Sequence, residues 1–121
     1  MDFDHAISAH SQWKQELSSY VQKPDRSLDP SVVGSDNRCD LGKWLAGEGK
    51  KFARHPEYSA VVSEHARFHK AAGEIVRRAN SGEHVAEETA LGTKSEFAAA
   101  SNAVVRSIMA LKSKVGALVS V

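Results

Sequence analysis

Four residues of this chain have side chains that bind transition metals and occupy positions that suggest one shared interior site. They are His10, Cys39, His65 and His69. His65 and His69 are four residues apart, so both imidazoles lie on one face of a helix, with about 5–6 Å between their Cβ atoms. Apolar residues recur around this pair every three to four positions, which places the shared face in the core. These positions are Tyr58, Val61, Val62, Phe68, Ala72, Ile75, Val76 and Ala79. Two buried imidazoles are costly unless something in the interior satisfies them.

His10 and Cys39 supply the other two candidate ligands. His10 lies in the apolar stripe of an amphipathic helix predicted over residues 3–21, one turn before Trp13, where it also fits a core histidine bonded to a carbonyl. Cys39 is the only cysteine and is expected to begin a short helix, whose positive end favours a thiolate. Cys39 fits a small buried hydrophobe as well, and Gly42 either admits a close backbone or is merely tolerated at a helix start. The positions of this helix expected to face the core are Leu41, Trp44, Leu45 and Phe52.

Three imidazoles and one thiolate form the tetrahedral nitrogen and sulfur ligand set that zinc prefers. We therefore predict one Zn²⁺ per chain, a crosslink of the kind that contributes on the order of 10 kcal/mol in small domains. Such a shell is closed and leaves no position for a substrate water, which argues against a hydrolase, and the zinc-protease motif requires Glu where this chain has Ala66. Asp40 is a candidate outer carboxylate or a simple helix-start charge. The remaining histidines, His5, His55 and His84, are interpreted as surface residues.

The elements that must position these residues are helices. The first is predicted over residues 3–21, and a short second helix begins at Cys39. The third runs from Pro56 to about Asn80, where Ser81-Gly82 ends it. The fourth begins at residues 85–88 and runs to the chain end, a length of roughly 50 Å. The connection 22–38 is rich in turn residues and has room for one helical turn at Pro30–Val33. No strand signal competes, so the predicted fold is all-α, an antiparallel four-helix-bundle-like domain with one short helix carrying the cysteine. The last helix contains a heptad seam that packs in a bundle or pairs with a second chain, formed by Phe97, Ser101, Val104, Ile108, Leu111, Val115 and Leu118.

Composition limits the partners and the location. The 121 residues form one domain by length, and 16 Lys and Arg oppose 15 Asp and Glu, so no basic surface for nucleic acid or anionic lipid is expected. No run approaches the ~20 apolar residues of a membrane span, and the acidic N-terminus lacks a signal core. The last helix has no terminator, so residues 1–121 are interpreted as a single domain cut from a longer protein.

Three short motifs resemble the chemoreceptor zinc-binding (CZB) domains of bacterial signalling proteins. They are His10 followed by Trp13, the Cys-x-Leu-Gly-x-Trp element from Cys39 to Trp44, and His-x-x-x-His at His65 and His69. This resemblance covers about residues 3–80 and implies that His10, Cys39, His65 and His69 are the zinc ligands. It also implies a cytoplasmic homodimeric bundle, without enzymatic activity of its own, linked to a chemoreceptor signalling domain or a diguanylate cyclase. Some members respond to zinc, and some to oxidants such as hypochlorous acid through the zinc-bound cysteine.

The leading hypothesis is a zinc-dependent regulatory module in which Cys39 is a redox switch. Oxidation of Cys39 would weaken one of four bonds and release residues 34–52 while the long helices stay packed. The alternatives are a zinc-level sensor and a zinc-stapled dimerisation domain. A more distant one is a hemerythrin-like di-iron bundle, which needs extra carboxylate ligands, whereas Lys14 stands four residues after His10.

Overall fold

The protein is described by a computed structural model that covers residues 1–86 and 90–119. The helices are α1 (Phe3–Gln22), α2 (Pro30–Val33), α3 (Asp40–Ala46), α4 (Pro56–Asn80) and α5 (Glu96–Val119), with a 3₁₀ turn at Glu48–Phe52. The described residues contain no strand, and the predicted all-α, bundle-like fold is confirmed. No helix among these residues has the length and apolar content needed to span a membrane.

The three long helices pack on one another and enclose the core. Their amphipathic faces supply its largest fully buried side chains, among them Leu17 of α1, Phe68 of α4 and Phe97 of α5. Local signals fix the helix ends: the Asp2 carboxylate accepts the His5 N–H at 2.9 Å and caps α1. Gly82, with φ of 86°, allows the chain to turn away after α4.

Contacts between side chains show the directions of the long helices. His10 faces His65, and ten residues further along α1 the Tyr20 hydroxyl donates to Asn80 near the end of α4 at 2.5 Å. The helices α1 and α4 therefore run in the same direction. The ion pair between Asp4 and Lys112, at 2.6 Å, joins the start of α1 to the second half of α5, so α5 runs antiparallel to both.

The connection between α1 and α4 carries the short elements that complete the site. As predicted, residues 30–33 form a helical turn, α2, which packs on α4. The short helix α3 follows, with Cys39 as its N-cap, and packs against the 3₁₀ turn. Leu41, Leu45 and Phe52 are buried, as expected from the sequence.

Two expectations about the helices are wrong. The last helix is not continuous from residues 85–88: residues 83–86 are non-helical, 87–89 lie outside the described residues, and Ala90 and Leu91 are helical, with the Ala90 N–H donating to the Ala86 carbonyl at 2.9 Å. The helix α5 begins separately at Glu96 and has 24 residues. The reason is a turn at Gly92 followed by a cap, since the Ser95 hydroxyl accepts the Ala98 N–H at 3.0 Å. Val62, expected in the core, is 38% exposed.

The heptad seam of α5 is directed into the bundle. Phe97, Val104, Ile108 and Leu111 are all at most 1% exposed, and Val115 packs against the same core. The side chain of Leu118 lies outside the described residues. Of the two roles predicted for this seam, packing within the chain is the one observed.

Candidate metal centre

The structure brings the four predicted ligands together at one point between α1, α3 and α4. We call the group His10, Cys39, His65 and His69 the metal centre. Its donor atoms all lie within 4.8 Å of one another. The Nε2 atom of His65 is 3.1 Å from that of His10 and 3.1 Å from that of His69. The Cys39 Sγ lies 3.2 to 4.0 Å from the three Nε2 atoms.

Backbone carbonyls decide which nitrogen of two imidazoles faces the centre. His10 Nδ1 lies 2.7 Å from the Ala6 carbonyl oxygen, one turn earlier on α1. His69 Nδ1 lies 2.9 Å from the carbonyl oxygen of Val33, at the end of α2. Because a carbonyl only accepts hydrogen bonds, each Nδ1 carries the proton and each Nε2 presents a lone pair to the centre. This is the arrangement that metal-binding histidines use.

The spacing of the donors fits zinc. With Zn–N near ~2.05 Å and Zn–S near ~2.3 Å, tetrahedral geometry separates two nitrogens by roughly 3.4 Å and nitrogen from sulfur by roughly 3.6 Å. Two nitrogen pairs are 3.1 Å apart, the sulfur lies 3.2 to 4.0 Å from the nitrogens, and no two donors are more than 4.8 Å apart, so the donors enclose a space of about that size. The Cys39 thiol has one hydrogen to share among three nitrogens, whereas a cation at the centre would satisfy all of their lone pairs.

Burial keeps the imidazoles neutral. His10, His65 and His69 are at most 4% exposed. Burial, together with the neighbouring imidazoles of His69 and His10, lowers the pKa of His65 to about 3. Burial likewise lowers the pKa of His10 and of His69, although the carbonyls of Ala6 and Val33 oppose the change. Neutral imidazole is the form that binds a metal.

Cys39 differs from the histidines because it lies at the start of a short helix and is only half-buried. Its Sγ accepts the Gly42 N–H at 3.4 Å. Burial raises the pKa of the Cys39 thiol, and the N–H groups of Gly42 and Leu41 only partly oppose this effect. The expectation that the helix N-terminus favours a thiolate is therefore outweighed by burial, and a cation is needed to hold the sulfur ionised.

Two surface grooves border Cys39. One, of about 470 Å³, is lined by Asp2, His5, His10 and Asp40, and the other, of about 420 Å³, is lined by Trp13, Val32, Arg38 and His69. Cys39 lines both grooves, whereas His10 and His69 each line one of them.

The other residues singled out in the sequence are not members of this group. Asp40 is exposed at the first position of α3, where its charge raises the pKa of the Cys39 thiol. His5 and His84 are exposed, and His55 is partly exposed at the N-cap of α4. Sequence reasoning missed the Val33 carbonyl, because a backbone acceptor has no residue-type signal and depends on where α2 docks.

Comparison with known proteins agrees with this geometry. The family model of the chemoreceptor zinc-binding domain matches residues 10–76, more than half of the chain and a range that includes all four donors. No match is found among curated proteins or among solved structures. The family is defined by zinc binding in signalling proteins and not by catalysis. The chain belongs to the chemoreceptor zinc-binding domain family, and its cofactor is one Zn²⁺ ion.

Proposed function

We propose that this chain is the zinc-dependent regulatory domain of a bacterial signalling protein, in which His10, Cys39, His65 and His69 ligate the metal and Cys39 is a redox switch. The observation that carries this proposal is the asymmetry of the metal centre. Its three histidines are buried on two long helices, whereas its cysteine is half-buried, lies on a seven-residue helix and borders two grooves.

The chemical step belongs to the cysteine sulfur. Bound zinc holds the Cys39 sulfur as a thiolate, the form that oxidants attack. With hypochlorous acid, the net reaction is Cys39–S⁻ + HOCl → Cys39–SOH + Cl⁻, in which sulfur loses two electrons, gains the hydroxyl group and releases chloride. The sulfenic acid is a weaker ligand and a poorer acceptor for the Gly42 N–H, so both contacts that hold the start of α3 are weakened.

The consequence of this step is a local release. Residues 34–52 are attached to the bundle by Cys39, by the Tyr58 hydroxyl, which donates to the Leu45 carbonyl at 2.5 Å, by the edge contact between Trp44 and Phe3, and by a few buried apolar side chains. The apolar core includes Leu41 and Leu45 of this segment, but most of its members lie on α1, α4 and α5. Oxidation therefore frees the short helix while the bundle persists, which is a two-state element of the kind used in signalling.

Hydrogen exchange after titration with hypochlorous acid tests the switch. We expect faster exchange in residues 34–52 and unchanged exchange in the buried turns of α4 and α5. The Cys39→Ser variant is the control and should show no response to the oxidant. If exchange rises uniformly, or if oxidised Cys39 leaves residues 34–52 unchanged, the local-release mechanism is wrong. If Cys39→Ser abolishes the oxidant response while zinc still regulates the output, redox switching and zinc sensing are separable roles.

Metal content tests the ligand assignment. The purified chain should contain one zinc per chain, and alanine at any one of the four proposed ligands should reduce that content sharply at limiting zinc. The matched controls are His5→Ala and His84→Ala, which remove exposed histidines outside the metal centre and should retain one zinc. Equal zinc content in His65→Ala and His5→Ala would contradict the assignment.

We also propose that the whole protein has the arrangement that the family resemblance implies. Residues 1–121 then form a single cytoplasmic domain of a longer chain. This domain pairs as a homodimer and is linked to a chemoreceptor signalling domain or a diguanylate cyclase. A lone cysteine held by zinc suits a reducing compartment. Light scattering on the 121-residue chain checks the oligomeric state: a homodimer gives twice the mass of one chain, and a monomer at all concentrations contradicts this part of the proposal.

A further inference from the structure

His10 and His69 obtain their Nδ1 acceptors in different ways. His10 uses the carbonyl one turn earlier in its own helix, so any intact α1 supplies it. His69 uses Val33, which lies 36 positions away in the sequence and belongs to another helix. The orientation of the His69 imidazole therefore depends on where α2 docks on α4.

Two glycines set that docking distance. A Cβ added to Gly73 of α4 would lie 2.7 Å from the Cα of Gly34, 3.0 Å from its nitrogen and 2.9 Å from the Pro30 carbonyl oxygen. All three contacts are with backbone atoms, which cannot rotate out of the way as a side chain can. Only glycine at position 73 allows the end of α2 to approach α4 this closely.

The end of α2 is arranged so that one carbonyl is left for His69. The Pro30 carbonyl accepts the Gly34 N–H, and the Ser31 carbonyl accepts the Ser35 hydroxyl. The Val32 carbonyl accepts the Ser35 N–H. The Val33 carbonyl, the last of the helix, accepts from His69 Nδ1, and the Val33 side chain is buried. The imidazole thus completes the C-terminal hydrogen bonds of α2.

We propose that Gly73 and Gly34 are positioning residues of the metal centre: their backbone contact places the Val33 carbonyl on His69 Nδ1 and so fixes the tautomer that presents Nε2 to zinc. This inference rests on the proposed function, since it takes His69 as a ligand. Groups that orient metal-binding histidines typically change metal affinity by 10- to 100-fold when they are altered.

The first test is the Gly73→Ala variant, with zinc affinity measured by competition with a chromogenic chelator. We expect the dissociation constant for zinc to rise by about 10- to 100-fold. Gly116→Ala is the matched control, because a Cβ there would meet nothing within 4 Å. Leu111→Ala, at a fully buried position of α5, controls for lost stability. Both controls should bind zinc within about threefold of the unaltered chain.

The second readout is the ¹⁵N spectrum of the imidazoles in the zinc-loaded chain, which a merely structural role of Gly73 would not change. The His69 Nδ1–H signal should be protected from solvent exchange in the unaltered chain and should exchange rapidly in Gly73→Ala. His10 is the internal reference, because its Nδ1–H is bonded to Ala6 of the same helix and should be unaffected.

A third variant keeps the proposal testable if Gly73→Ala does not fold. Asp29 caps α2 by accepting the Ser31 N–H at 2.9 Å and the Ser31 hydroxyl at 2.7 Å, and it is exposed. Asp29→Ala should loosen α2 and weaken zinc binding by about fivefold. Asp25→Ala is its matched control: it removes the same charge from the same connection, where Asp25 accepts the Ser27 N–H and not a bond of α2.

The outcomes separate the two proposals. If His69→Ala binds zinc like the unaltered chain, the ligand assignment fails. If His69→Ala loses zinc while Gly73→Ala and Asp29→Ala bind it within about threefold and keep a protected His69 Nδ1–H, only the positioning role is overturned.

Discussion

Protonation of three residues couples the metal centre to the stability of the fold. Burial lowers the pKa of His10 and His69, and that of His65 to about 3. In the unfolded chain each imidazole titrates near ~6.5. At any pH between the folded-state and unfolded-state pKa values of these imidazoles, the zinc-free folded protein binds fewer protons than the unfolded chain. Its free energy of unfolding therefore falls as the pH falls.

We predict that the zinc-free chain loses stability from about pH 6.5 downward. The loss is at most ~1.4 kcal/mol per pH unit for each buried histidine, and the contribution of His65 continues to about pH 3. Urea denaturation between pH 7.5 and 5 measures it, above the range in which carboxylates titrate. His65→Leu should flatten the curve, whereas His5→Ala should not. A curve that is flat between pH 7 and 5.5 would contradict the prediction.

Residue types and spacing were sufficient to predict that these four side chains meet at one point, but not how they are oriented. His65 and His69 are four apart, and His10 lies on an apolar face, so helical periodicity alone turns all three inward. The acceptor of His69 was not predictable, since it depends on a glycine contact between segments far apart in sequence. The thiol pKa was misjudged for a related reason: the depth of burial of Cys39 depends on packing and not on its position in α3.

At the scale of elements, α3 is held against the preceding loop by Gly42. A Cβ at this position would lie 1.7 Å from the Asp36 carbonyl oxygen and 3.1 Å from the Asn37 Cα. These are backbone atoms, so either the loop or α3 must move. Because the Gly42 N–H also donates to the Cys39 sulfur, movement of α3 displaces the ligand. The sequence interpretation of Gly42 as a residue that admits a close backbone is confirmed.

We predict that Gly42→Ala weakens zinc binding by at least about tenfold and destabilises the chain by about 1–3 kcal/mol, as overpacking does. Chelator competition and urea denaturation measure the two effects. Gly116→Ala should leave zinc affinity unchanged and stabilise α5 by about 0.5–1 kcal/mol, because an added Cβ meets open space there. Tight zinc binding by Gly42→Ala would show that Cys39 does not depend on this contact.

The boundaries of the elements were predictable where a strong stop signal exists and not elsewhere. Pro56 and Gly82 mark the two ends of α4 in the sequence, and the structure agrees to within a residue or two. One continuous last helix was predicted, whereas the structure has helical residues at 90 and 91 and then a turn at Gly92, after which the Ser95 cap starts α5. Only the cap geometry distinguishes these two choices.

At the scale of the whole molecule, the metal centre and the apolar core are separate sources of stability. The core joins α1, α4 and α5 through buried side chains of all three. The four candidate donors lie beside it, on α1 and α4 and at the start of α3. Metal binding to the folded state alone adds RT ln(1 + [Zn]/Kd), about 3–4 kcal/mol at 100 to 1,000 times the dissociation constant.

We therefore predict that removing zinc with a chelator lowers the melting temperature by about 10 °C while most of the helical signal in far-ultraviolet circular dichroism remains. The helices persist because the buried faces of α1, α4 and α5 pack on one another without the metal. The His69→Ala variant is the control, and its melting temperature should not respond to the chelator. An unchanged melting temperature in the unaltered chain would show that the metal does not contribute to the stability of the fold. Loss of the helical signal on chelation would instead show that the bundle needs its metal to fold, and a local switch at Cys39 would then be untenable.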